Sequence, residues 1–412
     1  MNSQSMHIKF AQYLSIGIAL SLLTTVAGIN IFVLLLLPLG VWGWRYFKID
    51  ETYKKDVTLF FGLIAALCVV DVASNLNAGH ALQPSLRILL GDLRTFAFVV
   101  LLWPLFAVAN ISRRMFWALV AMVVVFSLAD LTLVSMGRVG KDVYFMPGSG
   151  ANMNGQILVG LFFVLAQILL TKPELSWRIA TPMGIMLAGL FLASERRTGW
   201  ALLLAGFIVW AFLNRERVIA KGKRKWILVA ILIVAALMSS SQKVHERIAL
   251  IGQDVQLFAS QTTEERISKP TSVGVRMQYA VSSLQLIKES GLLGVGSLNY
   301  RDAFWRVNGS VEGMQSQYSN PHNEYLYMLA TKGGLGLMLY LAIFIQACRM
   351  ALKRKDEVQR VGMLMMVFLF MLSITTNSMM TDMKEGHFAM LMMLVFLAPR
   401  ELNLLGKAKI TA

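Results

Sequence analysis

The chain has 412 residues, 56% of them hydrophobic and only 15% charged, with a formal charge of +16. Soluble domains hold about 45–50% apolar and about 25% charged residues, so a soluble globular protein is excluded, and so is a disordered or fibrous chain. In a soluble protein the basic excess would point to nucleic acid; beside apolar runs of membrane length it marks cytoplasmic loops.

Those runs predict an all-α fold: a polytopic membrane protein with about twelve transmembrane helices, at about 20 apolar residues each, and one long, partly helical periplasmic loop. The spans fall near 11–28, 30–46, 57–75, 86–109, 116–136, 153–171, 178–195, 198–214, 226–241, 324–348, 360–380 and 386–399. A single lysine, Lys9, precedes the first run and no clear small-x-small cleavage site follows, so this helix reads as retained. The stretch Gly28-Ile29-Asn30-Ile31-Phe32 offers the break between the first two spans. Cys68 lies in one span and Cys348 at the end of another, which gives neither a disulfide framework nor metal-ligand spacing.

Lys and Arg set the orientation. With the N-terminus inside, the segments 45–55, 113–114, 172–178, 215–225, 349–360 and the C-terminal tail are cytoplasmic, and with Lys9 they hold more than half of the 39 basic residues. The opposite loops are poor in them; 76–85 has neither Lys nor Arg. The exception is the pair Arg196-Arg197, on the outer side. The chain thus divides into helices one to nine (1–241), a periplasmic loop subdomain (242–322), and helices ten to twelve with a cytoplasmic tail (323–412).

In the loop, Met277, Ala280, Val281, Leu284 and Ile287 recur at helical spacing. Gly291 can end that helix, and Gly294-Val295-Gly296 makes a turn. Aromatic residues, among them Phe258, Tyr279, Tyr300 and Trp305, argue for an ordered segment.

Ionisable groups at a membrane are costly and mark candidate sites. Arg196 and Arg197 lie in Ser194-Glu195-Arg196-Arg197-Thr198-Gly199. Guanidinium groups bind phosphate oxygens bidentately, although a pair that snorkels to lipid headgroups fits the position equally well. Arg276 opens the loop helix, where an exposed helix charge is the plainer reading. His322 stands in Asn320-Pro321-His322-Asn323-Glu324-Tyr325, just before a span. Imidazole exchanges its proton near neutral pH and can act as a general base. His80, His245 and His387 are also predicted outside, so position alone does not select His322. Glu324 is an alternative base, or a first-turn acid facing the helix dipole. Arg87, Asp92 and Arg94 share one predicted span; Asp92 and Arg94 can pair internally, and Arg87 can face an anionic lipid. Asp71 and Asp130 are expected to be buried or to face a cavity. The chain has no Walker motif, nucleotide fingerprint, carboxylate-pair metal motif or Gly-x-Ser-x-Gly.

His322-Asn323, nine residues, then Gly333-Gly334-Leu335-Gly336 resembles the signature of the bacterial O-antigen ligase family. Upstream, Arg196-Arg197-Thr198-Gly199 resembles its Ser-Arg-small motif, with Arg196 at the usual Ser and Arg197 at the Arg. Arg276 followed by Gly291-Leu292-Leu293-Gly294-Val295-Gly296 resembles its Arg, helix, Pro-x-x-Gly-x-Gly block, without the Pro. These blocks cover roughly residues 185–340.

The resemblance implies a multi-pass protein of the bacterial inner membrane, both termini cytoplasmic and the active site periplasmic. It implies a glycosyltransferase that moves a glycan from undecaprenyl pyrophosphate to lipid A–core, inverting the anomeric centre, with no metal or other cofactor. His322 would be the general base. Arg196, Arg197 and Arg276 would bind the pyrophosphate, Arg197 and Arg276 with catalytic roles, and Arg87, Asn323, Glu324 and Tyr325 are possible additions. The partners would be the lipid-linked donor, the lipid acceptor and membrane lipid, not nucleic acid. The alternatives are an O-antigen polymerase, a protein O-oligosaccharyltransferase, or more remotely an anionic-lipid transporter.

Overall fold

The computed structural model describes residues 3–46, 49, 51–92, 94–137, 151–193, 197–220, 232, 242–268, 271–309, 320–378, 383–402 and 404. Among the described residues every regular element is helical. The first part of the chain forms α1 (Ser3–Thr24), α2 (Val26–Tyr46), α3 (Glu51–Asn77), α4 (Leu82–Asp92), α5 (Arg94–Phe106), α6 (Ala109–Ser135), α7 (Ala151–Thr171), α8 (Ser176–Ala188), α9 (Arg197–Leu213) and α10 (Arg215–Ala220). The loop segment contributes α11 (Gln242–Ser260), α12 (Thr263–Ser268), α13 (Ser272–Ser290) and α14 (Tyr300–Asn308). The last part forms α15 (Glu324–Leu352), α16 (Glu357–Ser373) and α17 (Met383–Leu397).

Among the described residues, five helices are long and apolar enough to cross a membrane, or seven if each of two bent pairs is one span. By length and composition these helices make the chain a membrane protein, and the remaining expected spans fall on shorter, bent or undescribed segments. Hydropathy accepts short apolar runs, but Thr198–Leu213 and Glu385–Leu397 fall below the roughly 20 residues a bilayer needs. The runs near 153–171 and 178–195 form a pair bent by 119°, and that near 86–109 is divided between α4 and α5. The run 226–241 lies, apart from residue 232, outside the described residues. The first two helices part at Thr25, not at 28–32. Gly28 sits inside α2, where a larger residue would strike Ser21, and Gly17 leaves room for the Phe32 ring.

Helices that are apolar all round belong in the interior. Accordingly α7 is buried almost throughout from residue 155 to 170, and α17 from 387 to 397. Around them pack α5, α6, α9 and α16, while α3 lies against α15. The α3–α15 pair is antiparallel: Lys353 bonds Asp56 at one end, and Lys332 bonds Asp71 toward the other. The Asp56 end gathers basic residues of several loops. There Arg217 pairs with Glu357 at 2.6 Å, and Arg354 stacks on Tyr53 and donates to the Leu397 carbonyl. Asp356 caps α16 by accepting from the Gln359 amide, and burial pushes its carboxyl above the usual range.

The loop helices carry small cores of their own. Ile267, Tyr279, Phe304 and Trp305 form one. Leu286, Val295, Tyr300 and Ala303 form another, which reaches Tyr327 and Ala330 of α15. Inside it the Tyr300 hydroxyl meets Ser283 at 3.1 Å, and burial pushes that phenol above its ordinary range.

Candidate functional site

His322 is the one non-glycine residue with positive φ among the described residues, at 52°. A left-handed backbone is disfavoured for L-residues and persists where its surroundings fix it. Here the His322 amide donates to the Asn320 side chain at 2.9 Å. Pro321 is buried beside it. The turn ends as Asn323 caps α15: its side-chain oxygen accepts from the Leu326 amide at 3.0 Å, and its amide group donates to the Thr375 carbonyl at 2.9 Å. The helix therefore starts at Glu324, three residues after Pro321.

The result is an exposed imidazole on a fixed backbone. Its ring meets Tyr279 of α13 edge to face, with centroids 5.8 Å apart. Its Nδ1 lies 3.5 Å from the Asn377 side-chain oxygen. Of the other histidines expected outside, His387 is buried against Phe98, His80 is half-buried, and the His245 side chain lies outside the described residues.

Arg276 is exposed and sits three residues before Tyr279 on α13. Side chains at that spacing are neighbours, with Cβ atoms about 5–6 Å apart. The Arg276 guanidinium is thus anchored one helical turn from the ring that touches His322. Thr271 sets the start of this helix by accepting from the Gly274 amide at 3.0 Å.

Arg196 lies outside the described residues, and Arg197 is described by its backbone, which opens α9. That backbone can be placed. The α9–α10 end meets the start of α16 through Arg217 and Glu357, and α9 packs along α16. The two helices are therefore antiparallel, so Arg197 lies at the end where α16 finishes. The start of α15 lies there too, because the Glu324 amide donates to the Ile374 carbonyl at 3.0 Å. Gly199 has a packing role: its Cβ position would lie 3.3 Å from the Gly155 backbone, so glycine lets α9 approach α7. Trp200 holds the same corner by donating to the Leu190 carbonyl at 3.1 Å, in the π-helical turn Gly189–Ala193.

Three further candidates have structural duties. Glu324, the alternative base, is fully buried rather than at an open mouth. The Tyr325 hydroxyl donates to the Met371 carbonyl at 2.9 Å, and Asn323 is the cap. Arg87 is exposed on α4, and among the described residues no contact joins it to His322. The Asp92 side chain lies outside the described residues, so its pairing with Arg94 does too.

The glycine blocks interlock. Gly333 breaks α15 with φ 66° and ψ −170°. The Leu292 carbonyl occupies the space that a side chain at Gly333 would need. Gly294, at φ 73°, fits as closely against Ala330 and Gly333. The Val295 and Gly296 amides then donate to the Ala330 and Thr331 carbonyls at 2.8 and 2.9 Å. This seam holds α13, with Arg276, over the turn that carries His322.

The family of O-antigen ligases matches residues 182–341, the stretch that contains Arg197, Arg276, His322 and both glycine blocks. This segment is therefore similar to the O-antigen ligase family. No curated protein matches the chain. Members of that family are glycosyltransferase-like enzymes.

Tyr279 and Asn377 were not singled out as site residues by sequence. Tyr279 was visible as an aromatic one turn after Arg276. Asn377 lies 55 residues from His322 and carried no local signal.

Proposed function

We propose that the protein transfers a glycan from undecaprenyl pyrophosphate to lipid A–core, as an inverting, metal-independent O-antigen ligase at the periplasmic face of the bacterial inner membrane. The observation that carries this reading is His322: exposed, held at positive φ, and packed against the helix of Arg276 inside the segment that matches the O-antigen ligase family. His322 takes the proton of an acceptor hydroxyl. The hydroxyl oxygen attacks the anomeric carbon from the face opposite the pyrophosphate. The bond from that carbon to the pyrophosphate oxygen breaks, and its electron pair leaves with the pyrophosphate. Arg276 and Arg197 bind that group bidentately and stabilise its growing charge. The loop helices help to exclude water, which would otherwise hydrolyse the donor.

The test is reconstitution of purified protein with undecaprenyl-pyrophosphate glycan and lipid A–core, read as covalent product. His322→Ala should insert normally and lose transfer; wild-type turnover in that variant would remove His322 as the base. Arg276→Lys keeps the charge but loses the planar fork, and should lower turnover. Product on a second lipid-linked glycan would make the protein a polymerase, and lipid movement without a new glycosidic bond would make it a transporter.

A further inference from the structure

Lys332 and Asp71 form an ion pair at 2.7 Å with both side chains fully buried. Ser297 of the loop joins them: its hydroxyl donates to the Asp71 carboxylate at 2.7 Å and accepts from the Lys332 ammonium at 2.7 Å. One turn along α3, Asn75 accepts from the Leu298 amide at 2.9 Å and donates to the Asp71 carbonyl at 2.8 Å. The ammonium also lies 5.4 Å from the centroid of the Tyr327 ring. Two charges and a hydroxyl thus join three separate stretches of chain: α3, the turn after Gly296, and α15.

Charges in a membrane helix are costly, and buried pairs give little net stability over apolar residues of similar size. What such a pair supplies is geometry, because each partner is costly to leave alone. Lys332 immediately precedes the Gly333 break, and Ser297 immediately follows Gly296, whose amide bonds Thr331. The clamp therefore lies under the seam that sets the loop over α15.

We propose that Asp71, Lys332 and Ser297 are positioning residues for glycan transfer: they fix the loop on α15 so that Arg276 and Tyr279 stand over His322. The proposal rests on the transfer reading above. None of the three touches the reacting groups. Their part is to hold the turn 294–298, and through it α13, in one register.

Ser297→Ala removes the hydroxyl that links the loop to the pair and leaves both charges matched. It is expected to insert and melt like the parent protein. Its Val295 and Gly296 amides should exchange hydrogen faster, and its kcat should fall about 10- to 100-fold, as a displacement near 1 Å can cause, with the donor KM within about twofold. The double variant Asp71→Asn with Lys332→Met leaves no unmatched charge and keeps the variant foldable. It should show the same fall in kcat, and Ser297→Thr, which restores a hydroxyl, should recover most of it. Wild-type kcat and wild-type exchange in Ser297→Ala and in the double variant would overturn the proposal. A fall in kcat that follows only a lowered melting temperature would also overturn it, in favour of simple stability. If the parent protein itself transfers no glycan, the transfer reading fails; unchanged amide exchange in Ser297→Ala would then show that no clamp exists, and faster exchange would show that the clamp holds the loop for another reaction.

Discussion

Asp56–Lys353 and Asp71–Lys332 both join α3 to α15, each at 2.7 Å. At the first, half of the lysine side chain is exposed, with side-chain exposures of 51% and 13%. At the second, both side chains are at 0%. Water screens the first and lets either partner lose the other cheaply. The second has no such relief, so each charge depends on its partner. The same two helices are therefore joined loosely at the end that gathers basic loop residues and tightly below the end that bears His322. Identical chemistry at equal distance serves solvation at one site and register at the other.

This contrast can be broken most sharply with matched substitutions. Lys332→Ala leaves the Asp71 carboxylate without its buried cation and should cost about 3–5 kcal/mol of stability, read by thermal unfolding in detergent; a loss below about 1 kcal/mol would put the two pairs in one class. Gly333→Ala comes next. It forces a Cβ onto the Leu292 carbonyl and strains a positive φ, with an expected cost of about 1–3 kcal/mol from the backbone alone and release of the loop, seen as new protease cuts near 291–298. Asn323→Ala removes the cap of α15 and should cost about 1 kcal/mol, with cuts appearing near 320–323. The smallest effect belongs to Lys353→Ala, at about 0–1 kcal/mol and reduced further by salt. A larger loss there would show that the exposed pair also fixes register.

Much of this architecture is legible in the chain before it folds. Apolar run length and basic loops mark a helical membrane protein, because the bilayer leaves few other ways to satisfy the backbone. Gly291 and the Gly294-Val295-Gly296 turn are readable for a similar reason, since positive φ favours glycine at 291, 294 and 296. The three blocks in residues 182–341 are readable through their motifs, and the same stretch matches the O-antigen ligase family. Other features depend on long-range contacts and leave no local trace. Hydropathy treats a run of 16 apolar residues much like one of 20, so it does not by itself show which runs form long helices. Glu324 reads as an alternative base or a first-turn acid, and nothing near it in sequence announces that it is fully buried where its amide meets the Ile374 carbonyl. Asp71 reads as either buried or cavity-facing, because its partners Ser297 and Lys332 lie hundreds of residues away, beyond the reach of any spacing rule.

The buried pair also orders the making of the molecule. Asp71 is synthesised with the third helix, while Ser297 and Lys332 belong to the last third of the chain. Through all the intervening translation the α3 carboxylate waits for a cation that has not yet been made. The first helices can cross the bilayer early, but the seat of α3 among them becomes final only when α15 arrives with Lys332. By then the loop that carries Ser297 has already emerged. Docking of the loop is thus a late event, and the site around His322 waits longer still, for the end of α16, which supplies Ile374, Thr375 and Asn377.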